Sequence, residues 1–389
     1  MSTSALRGAT AIVGVGQAGL GNARGYTEME ILAQAAARAV ADAGMTMADI
    51  DGLCTCSASA TMWAMPVAEY LGIRPAFVDS TMLGGSSFVA HLLPAMHALA
   101  AGECNAVLVC YGSTQRSGAV DRAAVGKMRQ VLDPQPYETP YQPMQPISAY
   151  ALAAARHMAK FGTTREQLAE VAVAARAWAR LNPEAYSRDP LGVADVLASR
   201  MICDPLTVRD CCLLTDGAGA FVLVRSERAR DTPKPPAYVL GNASALWHRQ
   251  ISSMHDLTVT AATESGQRAY RMAGVTKDDI DLLCLYDAFT INTILFLEDL
   301  GFCPKGEGGN FVSGGAIAPG GALPVNTNGG GLSFGHPGMY GIFLVIEAVR
   351  QLRGEAGARQ QKAEVALVHG NGATLSSQST AILGTAAAL

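Results

Sequence analysis

The sequence predicts an α/β protein built from two similar halves with a lid inserted between them, and three observations carry that prediction. Apolar, β-branched runs alternate with helical periodicities towards both ends of the chain, the pattern of sheets covered by helices. The stretch Ala43-Gly-Met-Thr-Met-Ala-Asp-Ile-Asp-Gly-Leu-Cys54 recurs, 230 residues on, as Ala273-Gly-Val-Thr-Lys-Asp-Asp-Ile-Asp-Leu-Leu-Cys284, and self-similarity at that distance marks a duplicated unit. Between the halves, residues 114–147 are polar and carry five prolines from Pro134 to Pro146, too long and too stiff for a simple connection.

Ala9–Val15 opens the chain as a strand, and Thr27–Ala43 follows as a helix closed by Gly44. A second repeated pair supports the duplication: a helix ending at Gly102-Glu103 precedes the apolar run Ala106–Cys110, and a helix ending at Gly354-Glu355 precedes Val365–Val368. Tyr150–Asn182 is alanine-rich and helical, and Asp216–Val224 is a strand. These readings divide the chain into an N-terminal half (1–113 and 205–230), a lid insertion (114–204) and a C-terminal half (231–389). Within the lid, Met128, Tyr137, Tyr141 and Met144 suggest a bulky apolar substrate, although aromatic and Met residues in a loop more often simply pack it down.

Composition limits the function. With 389 residues, 49% hydrophobic and 16% charged, the chain can bury a large core. A net charge of −4 without a run of Lys or Arg argues against a nucleic-acid or membrane-surface role. No 18-residue apolar run and no apolar segment near Met1 suggest export or spanning, so a cytoplasmic location is the expectation. Nine cysteines without regular spacing read as reduced, buried thiols, and no metal site is expected.

The candidate site is Asn328-Gly-Gly-Gly-Leu-Ser-Phe-Gly-His-Pro-Gly-Met-Tyr-Gly341, which runs straight into an amphipathic helix, Ile342–Arg353. Glycines let backbone N–H groups approach a ligand, and a helix N-terminus favours negative charge there, so the loop is read as a cradle for an oxyanion. His336 is stiffened by Pro337 and is the candidate general base; a lone His-Pro equally fits a tight turn. Asn328 heads the loop.

Asn-Gly-Gly followed by Gly-His-Pro, together with Tyr286-Asp-Ala-Phe289 and Gly370-Asn-Gly-Ala373, resembles the thiolase superfamily over essentially the whole chain, in particular its sterol-carrier-protein and lipid-transfer branch. The resemblance implies two mixed sheets packed as a five-layered αβαβα body, an acyl-CoA thioester as substrate, coenzyme A as part of that substrate with no permanently bound cofactor, and an assembly of at least two copies. For that assembly the apolar run Ala106–Tyr111 is taken as the pairing sheet edge.

Two departures from the thiolase pattern shape the expected chemistry. Where thiolases carry the nucleophilic cysteine, the count falls on Gly85, flanked by Ser86 and Ser87, and no cysteine lies between Cys56 and Cys104. A glycine cannot form an acyl-enzyme, but the N–H groups of Gly85 and Ser86 remain able to form an oxyanion hole. Tyr286 stands where thiolases have an asparagine, and a phenol can exchange a proton. This replacement is similar to that of the thiolase-like retro-aldolases of steroid side-chain degradation, which work with a small zinc-ribbon/OB-fold partner. The implied reaction is retro-aldol cleavage of a β-hydroxyacyl-CoA, with Tyr286 and His336 as acid/base groups, His369 as a further candidate, and the enolate oxygen held near Gly85, Asn371 and Gly372. A thiolase-type acyltransferase working in a larger complex and a non-catalytic acyl-CoA or lipid carrier are the alternatives.

Overall fold

A computed structural model describes residues 3–118 and 135–389. Its first strand, β1 (Thr10–Gly21), is buried along almost its whole length, and the helix Glu28–Asp42 lies across it. Thr27 starts that helix with a capping box: the Thr27 hydroxyl accepts from the Glu30 N–H at 3.2 Å, and the Glu30 carboxylate accepts from the Thr27 N–H at 2.7 Å. Glycine is required where helix and strand touch. A Cβ on Gly14 would lie 2.1 Å from the carbonyl oxygen of Ala39.

The strands that follow are β2 (Gly52–Thr55), β3 (Phe77–Asp79), β4 (Ala106–Ser113), the small hairpin β5 (Met201–Cys203) and β6 (Leu206–Thr207), β7 (Asp216–Arg225), β8 (Ala237–Leu246), β9 (Leu282–Leu285), β10 (Val365–Gly372) and β11 (Ser377–Gly384). The long ladder runs β3-β2-β4-β7-β1-β8-β11-β10-β9. In the N-terminal half β2 and β4 are parallel while β4, β7 and β1 alternate in direction. In the C-terminal half β9 and β10 are parallel while β10, β11 and β8 alternate. The order β2-β4-β7-β1 therefore repeats as β9-β10-β11-β8, and β3 is an addition to the first half.

The repeat extends to single contacts. The close approach at Gly14 recurs at Gly241, whose Cβ would lie 2.3 Å from the Ala269 oxygen. Asp51 accepts from the N–H groups of Asn105 and Ala106 at 2.8 and 2.9 Å, and Asp281 accepts from those of Glu364 and Val365 at 2.7 and 2.9 Å. In each half a carboxylate ties the start of one strand to the start of its parallel neighbour.

The two sheets meet edge to edge through only two residue pairs, Ala11↔Tyr238 and Ile12↔Ala237. The helices Glu28–Asp42 and Ala262–Ala273 cover the outer faces. Ser87–Ala90 packs on β8, β10 and β11 of the opposite half, and Gly341–Leu352 touches β1 and β7 as well as β9, β10 and β11. These two helices form the central layer of the αβαβα body.

One expectation is corrected here. Ala106–Tyr111 belongs to β4, which lies between β2 and β7, so it cannot be a pairing edge; the ladder's edges are β3 and β9. An uninterrupted apolar run is the mark of a strand covered on both faces, not of an edge. Of the residues read as substrate-facing, Tyr137, Tyr141 and Met144 are exposed, and Met128 lies outside the described residues. Two helices, Ile147–Phe161 and Arg165–Arg180, continue that segment.

Candidate active site

β9 ends at Leu285, and the Tyr286 N–H donates to the carbonyl of His369 on β10 at 3.0 Å. This fixes the backbone from which the phenol projects. The Tyr286 hydroxyl lies 2.9 Å from His336 Nε2 and accepts the Tyr340 backbone N–H at 3.1 Å. With the imidazole carrying its proton on Nδ1, the phenol donates to Nε2 while its oxygen accepts from Tyr340. The two rings meet edge to face with centroids 5.5 Å apart. The backbone of His336 is held in turn by the Thr215 hydroxyl, which accepts the His336 N–H at 2.9 Å.

Burial acts on both members of the pair. It raises the Tyr286 phenol well above its ordinary value, opposed only in part by the Tyr340 N–H. His336 is part-buried, and packing around its ring pushes its pKa down to about 4. Phenol and imidazole are thus both neutral at pH 7, because a poorly solvated site disfavours either charged form.

The position of Gly85 explains why it is a glycine. A Cβ there would lie 2.3 Å from Cε2, Cζ and the hydroxyl oxygen of Tyr286, so the end of the phenol fills the space where a side chain at residue 85 would begin. A nucleophilic side chain at 85 and this placement of Tyr286 exclude one another. Neither neighbouring serine takes over. The Ser86 hydroxyl is shared with Leu83 O at 3.1 Å and Ser377 Oγ at 2.8 Å, while Ser87 Oγ donates to Gly84 O and accepts from the Leu83 N–H. Burial also raises the pKa of the Cys212 thiol, keeping it protonated.

The glycine-rich loop differs from expectation. It makes a single π-type turn, Gly330–Phe334, and its N–H groups are not open to a substrate: Gly331 donates to Asp287 Oδ1 at 2.7 Å and Leu332 to Asp287 Oδ2 at 3.4 Å. The anion in this cradle is a side chain of the protein itself. Asn328 Oδ1 accepts from the Gly330 N–H and the Tyr340 hydroxyl, both at 2.9 Å, and its Nδ2 is buried without a partner among the described residues.

The remaining candidates lie one layer behind. His369 is not brought to the Tyr286–His336 pair. Its Nδ1 meets the Thr380 hydroxyl and its Nε2 meets Gln378 Oε1, both at 2.9 Å, and burial pushes its pKa down to about 4. Both ring nitrogens are occupied, leaving no free position for acid/base work. From Gln378 the hydrogen bonds continue to Asn371 Oδ1, from Asn371 Nδ2 to the Tyr150 hydroxyl, and from that hydroxyl to Ala373 O, each 2.8 Å. The Asn371 amide is therefore also engaged. Gly372 presses on the turn before Gly85, and its Cβ would lie 1.7 Å from Leu83 O.

Sequence reasoning missed Asp287, Tyr340, Tyr150 and Thr215. The first two lie inside the quoted motifs; Tyr150 and Thr215 lie in stretches without any motif and come together with the site only through the fold. Tyr150 stacks on Phe289 with centroids 4.3 Å apart. Close by, His248 Nε2 lies 3.1 Å from Thr374 O and helps line a surface cavity of about 370 Å³ with Trp247, Met254, His255, Asp256 and Val259.

Among the described residues, no group of three or more His, Cys, Asp or Glu is arranged to hold a metal, and no helix is long and apolar enough to cross a membrane.

The chain is similar to known proteins over nearly its whole length. Residues 243–385 match the family described as thiolase C-terminal domain-like. Over 365 residues the chain is 36% identical to a steroid side-chain-cleaving aldolase of Thermomonospora curvata, covering 90% of this chain and 92% of that protein. Over 381 residues it is 34% identical to an acetyl-CoA acetyltransferase of Methanothermobacter thermautotrophicus, covering 94% and 96%. The structure of an Ltp2-ChsH2(DUF35) aldolase superposes with a TM-score of 0.88 at 33% identity, covering 98% of each chain.

Proposed function

Because the chain belongs to the thiolase superfamily and yet sets a phenol against the glycine where that family's nucleophile stands, we propose that it cleaves a β-hydroxyacyl-CoA by a retro-aldol reaction. Tyr286 takes the proton of the β-hydroxyl as it hands its own proton to His336 Nε2. A concerted relay suits two groups that burial keeps neutral, since no free phenolate has to form. The Cα–Cβ bond breaks, the β-carbon becomes a carbonyl, and the electron pair passes to the thioester enolate. The N–H groups of Gly85 and Ser86, at the start of a helical turn, supply the oxyanion site; the backbone at Asn371 and Gly372 closes it. The proton then returns through Tyr286 to the enolate carbon, releasing the shortened acyl-CoA.

The observation that carries this reading is the contact between Gly85 and the Tyr286 phenol. In this reading residues 114–204 form the lid, and the cavity beside Trp247 and His248 takes part of the CoA ester. The intact Gly-His-Pro and the similarity to an acetyltransferase favour a second reading, carbon–carbon bond formation by acyl transfer, which needs a thiolate that the site does not offer.

We further propose a homodimer through β3, an edge strand beside which Met62, Met65, Tyr70, Val78 and Met82 are exposed, together with a small zinc-ribbon/OB-fold partner chain. The test is release of a carbonyl product and a shortened acyl-CoA from β-hydroxyacyl-CoA substrates by wild type and Tyr286→Phe, with and without a DUF35-type partner. Cleavage by wild type that disappears in the variant supports the proposal. Equal turnover by both, or a stable acyl adduct on any residue, overturns it.

A further inference from the structure

Tyr286 and Asp287 are consecutive, and they grip opposite ends of the same loop. Tyr286 meets the late part, at His336 Nε2 and the Tyr340 N–H. Asp287 meets the early part, at the N–H groups of Gly331 and Leu332. The fit is close: a Cβ on Gly330, whose φ is +64°, would lie 2.0 Å from Asp287 Oδ2, and one on Gly331 would lie 3.3 Å from Asp287 Oδ1 and 3.4 Å from His336 Cδ2. Asp287 is fully buried, and no Lys or Arg pairs with it among the described ion pairs. Its charge is met by the backbone N–H groups of Gly331 and Leu332 and by the side chain of Asn326.

We propose that Asp287 is the positioning residue of this site: as a carboxylate it clamps the turn Gly330–Phe334 and thereby sets His336 against Tyr286. The proposal rests on the retro-aldol reading for its catalytic arm but not for its structural arm. Two N–H donors need two acceptor oxygens, and a protonated carboxyl offers one good acceptor and a hydroxyl. Alignment should therefore weaken when Asp287 takes up a proton. Burial raises its pKa to about 7, against the pull of the Gly331 and Leu332 N–H groups. The titratable groups around it, Tyr286, Cys284, Cys212, Tyr340 and His336, are held neutral by burial at that pH, so they do not titrate in the same window.

The test has two arms. In wild type, amide exchange of the segment 329–336, corrected for intrinsic rates and referred to β10, should lose protection by roughly tenfold between pH 8 and pH 6; protection that stays flat overturns the clamp, whatever the substrate is. In the catalytic arm, Asp287→Asn should lower kcat by roughly 10–100-fold with KM within about twofold, and should remove the acid limb near pH 7. An Asp287→Asn enzyme with wild-type kcat and an unchanged acid limb overturns the proposal. If that variant does not fold, Gly330→Ala supplies the second measurement: it pushes the carboxylate away and should reproduce the kcat loss, and full activity in it counts against the clamp. Absence of any cleavage by wild type would defeat the retro-aldol reading while leaving the exchange arm to decide the clamp.

Discussion

The two halves share a scaffold and differ at one end of it. Cys56 and Tyr286 hold equivalent places, two residues beyond Cys54 and Cys284 of the repeat. In the first half Cys56 is buried beside Ser87, and its pKa is raised to about 11 by that burial, leaving an inert thiol. In the second half the same place carries a phenol bonded to an imidazole. Features found in both halves, such as the carboxylates Asp51 and Asp281 and the tight contacts at Gly14 and Gly241, hold strands and helices together. Features present in one half only, such as the glycine turn and the Tyr286–His336 pair, gather at the candidate site. Duplication supplies a frame, and chemistry grows where the copies diverge.

The largest effect should come from breaking the divergent half. Tyr286→Phe keeps the ring against Gly85 and removes the proton, so kcat should fall roughly 10²–10⁴-fold in a carbonyl-release assay; Cys56→Ser, its counterpart, should leave turnover within about twofold. His336→Ala should also slow turnover, with the double variant less impaired than the product of the two losses because both act on one proton transfer.

Gly85→Ala probes the exclusion between residues 85 and 286. Its methyl group needs space that the buried phenol occupies, so stability should drop by about 1–3 kcal/mol in denaturant titrations. The same change made in a Tyr286→Ala background should cost much less, a coupling that a double-mutant cycle measures. Equal costs in both backgrounds would mean that the phenol does not fill that space.

His369→Phe should separate packing from chemistry. It removes the bonds to Thr380 and Gln378 and leaves Gln378 short of a partner, for a loss of about 1–3 kcal/mol, with a smaller effect on kcat than His336→Ala.

The smallest effect is a slope. His336 and His369 both have folded pKa values lowered to about 4, so the unfolded chain takes up protons near pH 6.5 that the native chain refuses. Their contribution to stability is present above pH 6.5 and is lost as pH falls towards 4. His369→Phe should make that decline shallower when stability is followed from pH 7 to pH 4.5.

Much of this frame was legible in the sequence, because a duplicated segment leaves two copies of the same helix end, loop and strand. Gly85, Tyr286 and His336 were legible too, since a missing cysteine and an added tyrosine stand out at fixed spacing. The role of Asp287 was not. A glycine loop looks the same whether its N–H groups await a substrate or already hold a carboxylate from residue 287, and only the fold decides which anion arrives. His369 misled for a related reason: an imidazole on a strand beside the site gives no sign in sequence that Thr380 and Gln378 saturate it. The run Ala106–Tyr111 misled because apolarity reports burial and says nothing of which strand lies alongside.

The place of β7 in the ladder has a consequence for how the chain is made. β7 pairs with both β4 and β1, yet it starts only at Asp216, long after β4 ends at Ser113, and runs to Arg225. During synthesis, β1 and β4 emerge early and must wait, each with an unpaired edge, until the ribosome has added more than a hundred further residues. Open apolar edges of that kind recruit other chains. The long helices Ile147–Phe161 and Arg165–Arg180 appear during that wait, so a nascent chain stalled before Asp216 should be the form most in need of a chaperone.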